Sequence, residues 1–137
     1  MIGFLGQVYS QCCPESAWGA LKNEKYDPLG TIETVDDLDI YYLGNSSKCI
    51  IWNYDIFGFD SGRTKQMVDF LAAHGYMAIL PDYYRGTFVD PANTPPEETL
   101  AFLKEQTDWN GRLKEDVERV KNFGRNKGCE RFGAIGK

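Results

Sequence analysis

Alternation and apolar runs along the chain predict four strands and two crossover helices. Residues 39–43, Asp39-Ile40-Tyr41-Tyr42-Leu43, have β-branched and aromatic character and stop at the turn cluster Gly44-Asn45-Ser46-Ser47, which predicts a first strand. Residues 48–54 are almost continuously apolar at their centre, from Cys49 through Trp52. That is the pattern of a strand covered on both faces, so it should lie centrally in a parallel sheet. Asp60-Ser61 then offers a cap to a helix running through Arg63, Met67, Val68, Leu71 and Ala72, with Gly75 where a left-handed C-terminal residue belongs. Residues 76–81 return as a strand closed by Pro81, completing a right-handed βαβ unit.

From Asp82 to Trp109 the periodicity loosens, apart from a short helix announced by Thr94-Pro95-Pro96-Glu97, where a capping box meets first-turn prolines. An excursion of this length predicts a lid or a pocket wall. Leu113, Val117, Val120 and Phe123 then recur at helical spacing over residues 110–126, predicting an amphipathic crossover helix. Residues 131–135 form a last strand, and the small apolar run Gly133-Ala134-Ile135-Gly136 gives it the character of a deeply buried centre strand. No helix is predicted after it, and this is the anomaly of the pattern. Residues 1–38, punctuated by Pro14, Gly19, Pro28 and Gly30, have no sustained period and read as a coil-rich lead-in with room for one edge hairpin. The expected organisation is this lead-in followed by an α/β unit over residues 39–137.

Composition narrows the function. The 137 residues are 42% hydrophobic and 26% charged, as in an ordinary soluble domain. No apolar run approaches the roughly 20 residues of a membrane-spanning helix, and residues 1–6 are too short and uncharged for a signal peptide. A cytoplasmic protein with no membrane partner is expected. Fifteen basic against twenty acidic residues give a net charge of -5, the wrong sign for a phosphate-backbone binder, so nucleic acid is excluded as a partner. The four cysteines, Cys12, Cys13, Cys49 and Cys129, form no C-x-x-C pair, so no metal site or cofactor is expected and reduced thiols are the default. Cys49 should be a small core residue, and the role of the adjacent Cys12 and Cys13 stays open.

In doubly wound sheets ligands sit beyond the carboxyl ends of strands, which directs attention to residues 55–58, 82–86 and 136–137. Tyr54-Asp55-Ile56-Phe57-Gly58, His74-Gly75-Tyr76, Pro81-Asp82-Tyr83-Tyr84-Arg85-Gly86 and Phe132-Gly133-Ala134-Ile135-Gly136, in this order and spacing, resemble the dienelactone hydrolase family. Cys12-Cys13-Pro14 is similar to eukaryotic members. The resemblance covers the first half of a family chain. It implies an α/β-hydrolase fold, mostly parallel and lacking its C-terminal half, whose complete form opens small esters or lactones with a Cys-His-Asp triad.

In that family the last strand enters a Gly-x-Cys-x-Gly turn, which Gly136 and Lys137 begin, so the nucleophile would follow Lys137 and no catalytic residue is assigned within the chain. The resemblance implies that the Ile56 N–H is an oxyanion donor. It puts Asp55 where bacterial members carry a glutamate near the thiol, with a turn-bonding Asp as the alternative. Arg85 falls one residue before the family's carboxylate-binding arginine, with an ion pair at the sheet edge as its alternative. Asp82 reads as a turn former, His74 as a helix C-terminal residue, and Tyr83, Tyr84, Phe88 and Trp109 as pocket wall or core. A competing reading is a non-catalytic interaction or relic protein that self-associates through exposed sheet surface. A receiver-domain reading fails, since a receiver needs five β-α units and an acidic pair after its first strand.

Overall fold

A computed structural model describes residues 26–136. Cys12, Cys13 and Lys137 therefore lie outside the described residues. Five strands, β1 (Thr31–Val35), β2 (Leu38–Leu43), β3 (Lys48–Asn53), β4 (Met77–Pro81) and β5 (Arg131–Gly136), form one sheet in the order β1-β2-β4-β3-β5. β4, β3 and β5 run parallel, whereas β1 and β2 enter as an antiparallel hairpin whose inner strand pairs with β4. The sheet thus begins at Thr31, inside the expected lead-in, which supplies one strand of a hairpin rather than a whole one: β1 pairs with β2, the strand expected at residues 39–43.

Among the described residues three α-helices accompany the sheet: α1 (Thr64–Ala73), α2 (Pro96–Gln106) and α3 (Lys114–Asn126). The strands' alternation assigns the layers. Ala78 and Leu80 of β4 join Tyr41, Trp52, Tyr54 and Phe59 around Val68 of α1. Met77 and Ile79 face the other way and join Ile40, Cys49 and Ile51 around Val120 and Phe123 of α3. α1 and α3 thus cover opposite faces of the sheet, and β3 lies in its interior, as its apolar run predicts, with β4 beside it.

Several local expectations are corrected. α1 begins after Arg63 with no side-chain cap, because Asp60 pairs instead with Lys65 and the preceding residues form tight turns, with the Thr64 amide bonded to the Ser61 carbonyl at 3.1 Å. α2 likewise starts after Pro95 without a side-chain cap, and the Thr94 hydroxyl accepts from the Asp90 amide at 3.1 Å instead. At the other end α1 stops as expected, with His74 as cap and Gly75 at φ 88°, a conformation that costs glycine little. The stretch before α3 is a wide turn over Trp109–Leu113 broken at Gly111, and regular helix begins at Lys114.

Two corrections are larger. β5 is an edge strand with Ile135 36% exposed, where its apolar composition predicts a buried centre, because among the described residues only β3 lies beside it. The described thiols are not reduced: Cys49 and Cys129 form a disulfide across 80 residues, with Cα atoms 5.8 Å apart. The pairing of β3 with β5, Cys49 opposite Phe132, brings together two cysteines that nothing in their spacing relates.

Candidate functional site

The turns after β3 and β4 are braced against each other at the carboxyl end of the sheet. Tyr54, buried, donates its hydroxyl to Asp82 Oδ1 at 2.7 Å and accepts the Tyr84 amide at 3.0 Å. The other oxygen of Asp82 accepts the Gly86 amide at 2.7 Å. Asp82 is therefore the turn former that its place after Pro81 suggests. Burial, followed by the neighbouring Asp82 carboxylate, raises the Tyr54 hydroxyl far above its ordinary range, so it is a permanent donor rather than a titrating acid.

The first of these turns carries Asp55 and Ile56. Asp55 Oδ1 accepts the Phe57 amide at 2.9 Å, a local Asx turn. The Ile56 carbonyl accepts the Val89 amide at 2.8 Å, tying this turn to the excursion that follows β4. Gly58 sits between the two segments at φ 104°, and a Cβ there would lie 3.0 Å from the Cβ of Phe88. Only glycine suits both the backbone and the contact. A cleft of about 230 Å³ opens here, lined by Phe57, Gly58, Phe59, Asp60, Ser61, Gly86 and Phe88. Phe57 and Phe88 are 43% and 60% exposed, which makes them its apolar walls. Asp60, at its rim, is neutralised by Lys65, whose ammonium lies over the Phe59 ring at 4.6 Å.

The other aromatics divide. Tyr83 is core, while Tyr84 stands edge-on to Tyr54 and to Phe102 of α2, and Trp109 is 52% exposed. His74 takes up the end of α1, its Nδ1 2.7 Å from the Phe70 carbonyl and its ring against Phe70.

Arg85 goes elsewhere. Its guanidinium forks onto both oxygens of Asp116, at 2.8 Å each, and onto both oxygens of Asp37, at 3.1 and 3.2 Å. Burial opposes its charge, but the hydrogen bonds to Asp116 and Asp37 outweigh that and hold its pKa above the usual range. The same bond from Arg85 holds the Asp37 carboxyl below the usual range. Of the residues singled out at the strand ends, Phe57, Gly58 and Gly86 line this cleft; Asp55 and Ile56 stand in the turn that leads into it, and the side chain of Arg85 turns away toward α3.

Sequence reasoning missed Asp116, which is fully buried and also contacts Arg112 at 3.6 Å and Arg119 at 2.9 Å. A signal was present, because Asp116 stands between Leu113 and Val120 on the apolar stripe of α3, with arginines four residues before and three after. A carboxylate on a core stripe demands such partners.

The end of β5 completes the geometry. Gly136 pairs with Asn53 in the parallel register, so the carboxyl end of β5 lies directly beside the turn of Asp55 and Ile56. Among the described residues no helix is long and apolar enough to cross a membrane.

Comparison with known proteins bears on this arrangement. The family model of the dienelactone hydrolase family matches residues 41–136. The chain is 28% identical to Hydrolase pyvD of Aspergillus violaceofuscus, covering 93% of this chain and 51% of that protein. It is 43% identical over 42 residues to a carboxymethylenebutenolidase homolog of Xenopus tropicalis, covering 31% of this chain and 17% of that protein. The chain spans about half, or less, of the length of the curated relatives it matches. In fold it matches a cold-adapted esterase from an Arctic intertidal metagenomic library, with a TM-score of 0.57 at 16% identity over 83% of this chain and 54% of that one.

Proposed function

This chain belongs to the dienelactone hydrolase family, and from that premise we propose that it is the N-terminal portion of an enzyme hydrolysing small esters or lactones, with the Cys-His-Asp triad beyond Lys137. The observation that carries the reading is the register of β3 with β5, which sets Gly136 opposite Asn53. A thiolate emerging two positions after Gly136 would stand next to the Ile56 turn. Attack on an ester carbonyl places negative charge on the carbonyl oxygen, and a fixed backbone N–H aimed at it lowers the barrier by electrostatic stabilisation already in place. Ile56 N–H is assigned that donor role. The bond from Val89 to the Ile56 carbonyl supports the assignment, since it fixes the turn's orientation.

In this reading Asp55 borders the thiol's position with its carboxylate steadied by the Phe57 amide, and Phe57 and Phe88 receive the apolar part of the substrate. Arg85 contacts no substrate, because its donors are already taken by Asp37 and Asp116. The test has two arms. The 137-residue chain is expected to release p-nitrophenol from p-nitrophenyl acetate no faster than a heat-denatured sample, and the transcript downstream of the Lys137 codon is expected to encode Cys-x-Gly. Turnover that survives alkylation of the thiols, or a different downstream residue, would overturn the proposal.

A further inference from the structure

We infer that Arg85 is a positioning residue, a clamp that pulls on α3 through Asp116 and on the β1-β2 turn through Asp37 and so holds residues 85–89 as the wall of the Phe57–Phe88 cleft. Its bearing on hydrolysis rests on the reading proposed above, whereas the clamp itself is a property of the described fold.

A guanidinium carries five N–H groups in a fixed fork. Here Nε meets Asp37 Oδ2, Nη2 meets Asp37 Oδ1 and Asp116 Oδ1, and Nη1 meets Asp116 Oδ2 and the Tyr83 carbonyl at 3.3 Å. The fork is saturated by groups from three separate parts of the chain.

Arg85 has φ 53°, a left-handed conformation that a residue with a side chain adopts only where its surroundings enforce it. The enforcement has direct consequences downstream. Thr87 N–H reaches the Tyr84 carbonyl at 3.0 Å and Val89 N–H reaches the Ile56 carbonyl at 2.8 Å, while Phe88 between them lies over Gly58. Were the side chain of Arg85 released, the left-handed turn would lose its enforcement and the Val89 bond would be the next to open.

Asp82 provides the competing explanation, since it holds the same turn through the Gly86 amide and the Tyr54 hydroxyl. If Asp82 alone suffices, Arg85 adds only general stability. Amide hydrogen exchange on the 137-residue chain, followed residue by residue by NMR, separates the two. In Arg85→Gln, Thr87 and Val89 should exchange about 10-fold faster or more while Ile79 and Leu80 of β4 keep their rates, the mark of a local rather than a global opening. Arg112 and Arg119 still neutralise Asp116 in that variant. Arg85→Lys should fall between, because one ammonium cannot fork across two carboxylates. Asp37→Asn, at a side chain 64% exposed, serves if Arg85→Gln does not fold, and should speed Val89 exchange about 2-fold to 3-fold without changing β4. Unchanged Val89 exchange in the variants that fold, or a rise that only tracks Ile79 and Leu80, would overturn the clamp. Because no step needs turnover, the clamp can fail while the hydrolase reading stands, and the reverse.

Discussion

β4 and β5 lie on either side of the same strand, both parallel to β3 and both built from small or branched apolar residues, yet every residue of β4 is buried while Ala134, Ile135 and Gly136 of β5 are exposed. β4 has β2 and β3 as neighbours, α1 over one face and α3 over the other. Among the described residues β5 has β3 on one side only, with Phe132 against the α3 face of the core. Apolar composition thus reports what a strand is suited to, and topology decides what it receives. The difference is largest where a buried side chain is truncated. Ile79→Ala should cost about 2 to 5 kcal/mol, since Ile79 is fully buried. Ile135→Ala should cost less than about 1 kcal/mol, as for a partly exposed side chain. Urea midpoints of the two variants measure the contrast. Equal losses would mean that β5 is covered in solution and would erase the comparison.

The same contrast explains how much of the molecule could be read in advance. β3, β4, the end of α1 at Gly75 and the stripe of α3 were legible, because each expresses a periodicity or a turn requirement within a few residues. β1 was only allowed for: Thr31 through Thr34 are exposed, so no face of the strand carries an apolar signature. Asp55, Ile56 and Asp82 were placed at the strand ends because the fold class puts ligand sites there. For Arg85 the ion-pair alternative is the one the structure bears out, but its partners Asp37 and Asp116 could not be named from the sequence, because the three come from a hairpin turn, a loop and a helix up to 79 residues apart, which only folding brings together. The disulfide was hidden for the same reason.

That disulfide sharpens the comparison next, because it fastens the entry to β5 onto β3. Closing a loop across 80 residues removes freedom from the unfolded chain, and reduction should cost about 2 to 4 kcal/mol. A reducing compartment opposes such bonds, so the cytoplasmic expectation and the Cys49–Cys129 bond pull in opposite directions. Urea unfolding with and without dithiothreitol measures the dependence, and Cys129→Ala should reproduce the reduced protein. Exchange at the β5 amides should rise more than at β4, since β4 keeps two strand neighbours. A uniform rise would show that the bond serves the whole sheet and not its edge.

The smallest effect concerns the cover that β4 has and β5 lacks. α1 is fastened over the sheet by Asp69, whose carboxylate accepts the Tyr41 hydroxyl at 2.5 Å, the Leu29 amide at 2.9 Å and the Tyr26 hydroxyl. Each tyrosine must keep its proton to donate. Burial, followed by the hydrogen bond to Asp69 and its charge, pushes the Tyr26 hydroxyl up to about 12. A group whose pKa is higher in the folded than in the unfolded chain adds stability that is fully present below its unfolded value, about 10 for tyrosine, and is lost as pH rises toward 12. Thermal stability should therefore decline between pH 10 and 12. Tyr26 is partly open to solvent, so screening limits its own share to on the order of 1 kcal/mol or less. Tyr26→Phe removes that share and should flatten the upper part of the decline, leaving the Tyr41 contribution, which belongs to still higher pH because burial and Asp69 raise Tyr41 further. An identical pH profile for Tyr26→Phe would show that α1 is held in place by its apolar face and by the Tyr41 and Leu29 bonds to Asp69 without help from Tyr26.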